Sequence, residues 1–266
     1  MERNVPTVIP KIIPVKDPDP VKSNHPPVHP HLPQIDGFGG GALLLIVAPV
    51  RCGKSCLINS LMLGSREMGF YDGQERFDNV SIISQTIAND ITSRFMRKAF
   101  DTYDSYDDSI IDGIVERQKS YDKEEQPEIA VILDDCLGTI KREAKINHLC
   151  SRYRHFNIRL LIISSQKFRG SVSPVVRTNA TNVIVGSPFP NQKELAAVAE
   201  EYGDNFGGID NWMKIYKLAT PNRYDFLHMN FQANPPEAYH NFEKLIAVGP
   251  NIIGSSEDNF KSDEEE

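Results

Sequence analysis

The segment Ala48-Pro49-Val50-Arg51-Cys52-Gly53-Lys54-Ser55-Cys56 is the part of the chain best equipped for chemistry. It follows the apolar run Ala42-Leu43-Leu44-Leu45-Ile46-Val47 and leads into a helix-like segment reaching Leu63. Strand, tight loop and helix form the setting in which a Gly-Lys-Ser binds phosphate. The loop's N–H groups and the helix N-terminus turn their positive ends toward an anion. Pro49, Val50, Arg51, Cys52, Gly53 and Cys56 would wrap the phosphates. Lys54 would reach the β- and γ-phosphate oxygens, and the Ser55 hydroxyl would sit on Mg²⁺. Ala48 stands where the usual pattern opens with glycine.

A second apolar run, Val131-Ile132-Leu133, ends in Asp134-Asp135, about 80 residues after Lys54. At that distance Asp134 would hold Mg²⁺ through its water shell, and Asp135 would orient or deprotonate an attacking water. A third run, Leu160-Leu161-Ile162-Ile163-Ser164-Ser165, ends in Gln166, placed to sense the γ-phosphate or the lytic water. Phosphoryl transfer builds charge on the γ-phosphate oxygens, which an arginine from a neighbouring subunit can offset. Arg152, Arg154, Arg159 and Arg177 are the candidates; Arg154 precedes the Gln166 strand and Arg177 follows it.

Apolar runs alternating with helical periodicity indicate an α/β fold with a mostly parallel sheet. Val80–Ser84, Ile129–Leu133, Ile158–Ser165 and Asn182–Gly186 read as strands. Ile91–Phe100, Ser109–Lys119, Ile140–Tyr153 and Glu194–Tyr202 read as helices, with Asp101–Asp108 a solvated acidic loop. Trp212–Leu218 and Tyr224–Phe231, joined through Pro221-Asn222-Arg223, read as a C-terminal β-hairpin extending the sheet. Pro235–Ala247 reads as a closing helix.

The ends differ in character. Met1–Pro33 holds nine of the eighteen prolines, without helical or strand periodicity. Residues 1–36 are therefore expected to form an extended, disordered arm, joined to the core by Phe38-Gly39-Gly40-Gly41. Residues 37–250 form the expected catalytic domain, and residues 251–266 an acidic, disordered tail. That tail carries six acids against one lysine and accounts for most of the net charge of −7. In contrast, Lys141–Arg177 concentrates nine Lys/Arg against the single acid Glu143, which suggests a local polyanion contact. Within it, Lys167-Phe168-Arg169-Gly170 offers two cations and an aromatic on a short turn; Lys167 and Arg169 are the candidate contacts for that polyanion, with Lys141, Arg142 and Lys145 behind them. The four cysteines show no Cys-x-x-Cys pairing and read as reduced thiols. With no signal-like apolar segment, an intracellular setting is expected.

The series APVRCGKS, VILDDCLG, RYRHFNIRLLIISSQKFRG and SPVVRTNATNVIV resembles the poxvirus-type DNA-packaging ATPases of large DNA viruses and virophages, a branch of the FtsK/HerA superfamily. The resemblance runs from Ala42 to Phe231. It implies a RecA-like (ASCE) P-loop fold, ATP and Mg²⁺ as cofactors, and a homo-oligomeric ring, pentameric or hexameric. It also implies double-stranded DNA as the object moved into a capsid. Capsid or internal-membrane proteins at a packaging vertex would be its partners. The setting would be the viral factory in host cytoplasm, and the virion. Carried over by position, Lys54 and Ser55 bind phosphate and metal, Asp134 and Asp135 are the metal and water acids, and Gln166 is the sensor. Arg154 is the first choice for the trans arginine and Arg177 the second. Asp135 stands where the wider superfamily has Glu, one methylene longer. Two other functions fit parts of this pattern: a helicase or recombination ATPase of the same fold, and a catalytically silent nucleotide-binding scaffold.

Overall fold

The computed structural model describes residues 28–36, 40–91, 93–136, 140 and 144–252. Its centre is strand β1 (Ala42–Val47), in which all six residues are buried. Burial on both faces explains why this strand is uniformly apolar. Leu43, Leu45 and Val47 pack into one core, and Ala42, Leu44 and Ile46 into another on the opposite face.

After β1 come α1 (Lys54–Leu63), α2 (Gly73–Arg76), β2 (Asn79–Ser84), α3 (Arg94–Ala99) and β3 (Asp101–Tyr103). The chain continues through α4 (Asp108–Lys119), β4 (Ile129–Asp134), α5 (Lys145–Cys150), β5 (Ile158–Ser165), α6 (Pro174–Asn179) and β6 (Asn182–Gly186). Helices α7 (Gln192–Tyr202) and α8 (Ile209–Ala219) lead to β7 (Phe226–Asn230), β8 (Glu237–His240), β9 (Lys244–Val248) and β10 (Asn251–Ile252). The ten strands form one sheet in the order β10-β9-β8-β7-β6-β1-β5-β4-β2-β3. From β6 to β3 neighbouring strands are parallel; from β6 to β10 they are antiparallel. Strand β5 lies between β1 and β4, so its C-terminal end separates Lys54, which opens α1 after β1, from the paired aspartates.

Four expectations about the elements of the core need correction. Trp212–Leu218 lies in helix α8, not in a hairpin strand. Its buried residues Trp212, Ile215, Tyr216 and Ala219 recur at helical spacing, and Trp212 stacks on Tyr216 with ring centroids 5.7 Å apart. Pro235–Ala247 is not a helix: it supplies β8 and most of β9, which turn at Asn241 with φ 51°. The C-terminal extension is thus the four antiparallel strands β7–β10 rather than a hairpin. The acidic stretch after Phe100 begins with the short edge strand β3, paired in parallel with β2. Finally, the helix expected over Ile140–Tyr153 is the shorter α5, followed by a 3-10 turn at Tyr153–Phe156.

The end of the proline-rich segment is packed. Val28, Leu32 and Ile35 are buried in the core that also holds Ile58, Leu61 and Tyr71. Tyr71 Oη donates to the Pro33 carbonyl at 2.7 Å, and Arg76 pairs with Asp36 at 2.6 Å and with Glu128. Gln34 and Gln232 exchange two hydrogen bonds of 2.9 and 2.7 Å, tying the segment to the residues after β7. Residues 28–36 are therefore a strap on the core, not part of a free arm. Residues 1–27, the joint residues Phe38 and Gly39, and the acidic tail beyond Ile252 lie outside the described residues. Among the described residues, no helix is long and apolar enough to cross a membrane.

Candidate nucleotide site

The loop between β1 and α1 is held open by backbone conformation. Gly53 at the start of α1 has φ 83° and Arg51 has φ 63°, both left-handed. Helices α4, α6 and α7 are capped by their own Asp107, Ser173 and Asn191 side chains. Helix α1, which follows this loop directly, has no side-chain cap, as is also true of α2, α3, α5 and α8, so a side chain does not occupy the first N–H groups of α1.

Strand register brings the remaining groups to this loop. Val47 of β1 pairs with Ser165 of β5, and Asp134 of β4 pairs with Ser164 of β5. The C-terminal ends of the three strands are therefore level. Lys54, only 7% exposed, donates from Nζ to the carbonyls of Ala48 at 2.9 Å and Pro49 at 3.2 Å. The same Nζ lies 3.3 Å from Asp135 Oδ2. Gln166 Nε2 donates to that Oδ2 at 3.1 Å. Asp135 has φ 53°, an unusual conformation for a side-chain-bearing residue, which turns its carboxylate back toward Lys54 and Gln166. Lys54, Asp135 and Gln166, three residues far apart in sequence, thus meet on one carboxylate oxygen.

Asp134 is deeper. Its Oδ1 accepts from Ser164 Oγ at 2.5 Å and its Oδ2 from Ser84 Oγ at 3.4 Å. Ser164 Oγ also accepts from the Asp135 N–H at 3.1 Å, so one hydroxyl fixes both aspartates. Burial raises the Asp134 pKa, with the Asp135 charge adding to the rise and the Ser164 bond and Lys54 opposing it. Ser55 and Asp134 line one small cleft together with Ser84. A buried carboxylate held by two hydroxyls, facing a serine across a cleft, is an oxygen donor set suited to Mg²⁺. Neither Ser84 nor Ser164 was singled out from sequence. The signal was there: polar residues closing two otherwise apolar strands.

A cavity of about 610 Å³ adjoins the loop. It runs from Arg51, Cys52 and Lys54 past Cys56 and Leu57 to Arg223, Tyr224 and Phe226. Cys52 is buried beneath it, its thiol donating to the Pro188 carbonyl at 3.2 Å, and burial raises its pKa. Cys56, Pro49 and Val50 complete the loop's surface; Val50 is exposed at its tip.

The arginines separate by position. Arg154 is exposed on the 3-10 turn before β5, its Nε donating to Tyr153 Oη at 3.0 Å. Gln166 follows the other end of that eight-residue strand, so about 26 Å of β-structure lies between them. Arg154 cannot reach the loop before α1 within its own chain. Arg177 is half-buried, pairs with Glu201 at 2.6 Å and lies over the Phe168 ring at 5.3 Å. It braces α6 against α7. Arg159 pairs with Glu128 at 2.6 Å.

The 167–170 turn is also more tied than expected. Phe168 is fully buried, and its N–H and that of Arg169 both donate to Glu194 Oε2, at 2.7 and 2.9 Å. Arg169 pairs with Glu200. Lys145 pairs with Asp112 at 3.3 Å. Among the described residues, Arg152, Arg154 and Lys167 are the cations of the basic segment without an ion pair. Lys141 and Arg142 lie outside the described residues.

Comparison of the coordinates with solved structures places this arrangement among nucleotide-binding folds. The DNA-packaging ATPase B204 from Sulfolobus turreted icosahedral virus superposes with a TM-score of 0.53 at 15% identity, over 75% of this chain and 97% of that one. The genome packaging NTPase B204 from Sulfolobus turreted icosahedral virus 2, solved with sulfate, superposes with a TM-score of 0.50 at 15% identity, over 76% and 97%. The chain has a P-loop NTPase fold. Within that fold, Lys54 opens the helix after β1, Asp134-Asp135 ends β4, and Gln166 follows β5, the strand between them. No protein-family profile matches the chain, and no curated protein is detectably similar to it in sequence.

Proposed function

We propose that this protein is an ATP-driven double-stranded DNA translocase that packages a viral genome. The observation that carries the reading is the meeting of Lys54, Asp135 and Gln166 on one oxygen at the mouth of an uncapped helix. Such a cluster is poised for phosphoryl transfer. A triphosphate arriving at the loop competes for the Lys54 ammonium, which now sits on two carbonyls and Asp135. As Lys54 turns to the β- and γ-phosphates, Asp135 loses its cation and becomes free to accept a proton from water. Gln166 stays within reach of that carboxylate and orients the same water. Ser55 and Asp134 would hold Mg²⁺, which supplies charge neutralisation at the phosphates.

The similarity of fold to two viral packaging proteins, together with the motif series, directs this hydrolysis toward DNA movement. The placement of Arg154 supports a ring. It is too far from its own phosphate loop to serve it, and it is exposed at the opposite end of the sheet, where a neighbouring subunit's site can meet it. Lys167, next to the sensor Gln166 and unpaired, is the candidate contact for DNA phosphates; Arg169 would first have to leave Glu200. Capsid or internal-membrane proteins are the proposed partners at the vertex.

The test is ATP hydrolysis by the purified full chain with and without linear duplex DNA of unrelated sequences. Stimulation independent of sequence, and weakening steeply with salt as phosphate contacts require, supports the reading. Hydrolysis indifferent to DNA would remove translocation from the account and leave a nucleotide hydrolase.

A further inference from the structure

Resting on the reading that the loop binds a nucleoside triphosphate, we infer that the base is taken up by stacking on Tyr224, with little discrimination between adenine and guanine. The 610 Å³ cavity has the size of a small-molecule site. Its two ends differ chemically. One holds the phosphate loop and Lys54. The other, alongside the first turns of α1, is walled by Leu57 and Phe226, and Tyr224 stands between the two ends. A ligand with a charged head and a flat apolar end fits that gradient.

Tyr224 is held for this purpose by its backbone. Its φ is 75°, a left-handed value rare for an aromatic residue. The turn is fixed by Asn222 N–H donating to Asp225 Oδ2 at 2.8 Å and Tyr224 N–H donating to the Ser187 carbonyl at 3.3 Å. This conformation swings the ring over the phosphate loop: a methyl placed on Gly53 would lie 3.7 Å from Tyr224 Cδ1. The ring lines the cavity yet is 56% exposed, so much of its surface has no protein partner. The Arg223 guanidinium lies over the same ring, 4.9 Å from its centroid. A purine can be received by such a surface through stacking, to which every base presents a π-face.

The side chains that pair with base amino groups are missing from this wall: no Asp, Glu, Asn or Gln side chain lines the cavity among the described residues. Asn241 and Glu243 line the neighbouring cleft that shares Leu57, Ser60, Tyr224 and Phe226, but the Asn241 carboxamide is engaged: its Oδ1 accepts from the Phe226 N–H at 3.0 Å and its Nδ2 donates to Asp225 at 3.5 Å. Arginine reads guanine through O6 and N7; of the two arginines lining the cavity, Arg51 stands in the loop and Arg223 is occupied over the Tyr224 ring. The substrate class that follows is purine nucleoside triphosphates in general.

The experiment measures binding of the β,γ-imido analogues of ATP and GTP, and of inorganic tripolyphosphate, to the full chain with Mg²⁺. The two nucleotides should bind within about threefold of each other, because stacking is tolerant of base identity. Tyr224→Ala should weaken both by about tenfold, the scale of one lost base–aromatic stack, and leave tripolyphosphate binding unchanged. Tyr224→Phe should bind like the wild type. The inference fails if Tyr224→Ala leaves nucleotide affinity intact, if it weakens tripolyphosphate equally, or if one purine is preferred by a hundredfold or more. If wild-type protein binds no tripolyphosphate, or Lys54→Ala binds it as well as wild type, the phosphate-loop reading itself is at fault.

Discussion

The Ala48 methyl faces the bare backbone of Gly186, and a methyl on Gly186 would come within 2.6 Å of the Ala48 Cβ. The glycine missing from the start of the phosphate loop is matched by one on the adjacent strand β6. Ala48 has a negative φ, so its own backbone does not require glycine. We expect Gly186→Ala to overpack this contact, destabilising the protein by about 1–3 kcal/mol and lowering nucleotide affinity. Ala48→Gly introduced alongside it should restore both. Chemical denaturation of the single and double variants measures the coupling; strictly additive losses would mean that the two positions do not press on each other.

The strap changes the expected effect of shortening the N-terminus. Removing residues 1–27 should leave unfolding unchanged, since their proline density and lack of apolar periodicity do not support a packed core. Removing residues 1–36 should lower the melting temperature sharply. Leu32, 2% exposed, is the sharper probe: Leu32→Ala should cost about 2–5 kcal/mol. Equal melting temperatures for the two truncations would show that the strap contributes nothing.

Arg154 should act across subunits. Arg154→Ala protein should bind ATP as tightly as wild type but hydrolyse it poorly. Mixed with wild type, it should depress the rate more than in proportion to its share. A linear mixing curve would contradict a trans role. Arg177→Ala should show its effect in stability instead, because Arg177 is engaged with Glu201 and Phe168.

His228 gives a pH dependence with a definite sign. It is fully buried, its Nε2 shares a 2.8 Å hydrogen bond with Asn182 Oδ1, and burial, helped by His31, lowers its pKa to about 3. Between that value and the ordinary 6.5, the unfolded chain binds a proton that the folded chain does not. Stability therefore rises with pH through this window, by at most about 1.4 kcal/mol per unit. Urea unfolding at pH 5 and pH 7 should show the difference, reduced in His228→Gln. A variant with the same difference would assign the titration elsewhere.

The strands that carry the site were legible because they are buried on both faces. β1 reads as an unbroken apolar run leading into the Gly-Lys-Ser loop, β4 and β5 as apolar runs ending in polar residues, and the ends of β4 and β5 proved to be level. After α7, the strand expected over Tyr224–Phe231 is β7, whereas α8, β8 and β9 were misread because their aromatic and aliphatic content suits helix and strand alike. Trp212, Ile215, Tyr216 and Ala219 show their helical spacing only once the hairpin expectation is set aside. The strap was hidden because Val28, Leu32 and Ile35 are scattered among prolines with no regular period. The engagement of Arg169 and Arg177 could not be read from a segment holding one acid: their partners Glu200 and Glu201 arrive on α7, which packing alone brings near. Likewise, Tyr224 meets the phosphate loop only through the fold of β6 and β7.

The most direct measurement of the central claim compares ATP binding and turnover in wild type, Lys54→Ala and Asp135→Asn. Lys54→Ala should lose nucleotide binding, because the ammonium that meets the β- and γ-phosphates is gone. Asp135→Asn should bind ATP normally and hydrolyse it slower by roughly 10²-fold or more, the scale of a lost general base. If the Asn variant turns over at the wild-type rate, the oxygen on which Lys54 and Gln166 converge does not activate the water, and the account of this site is wrong.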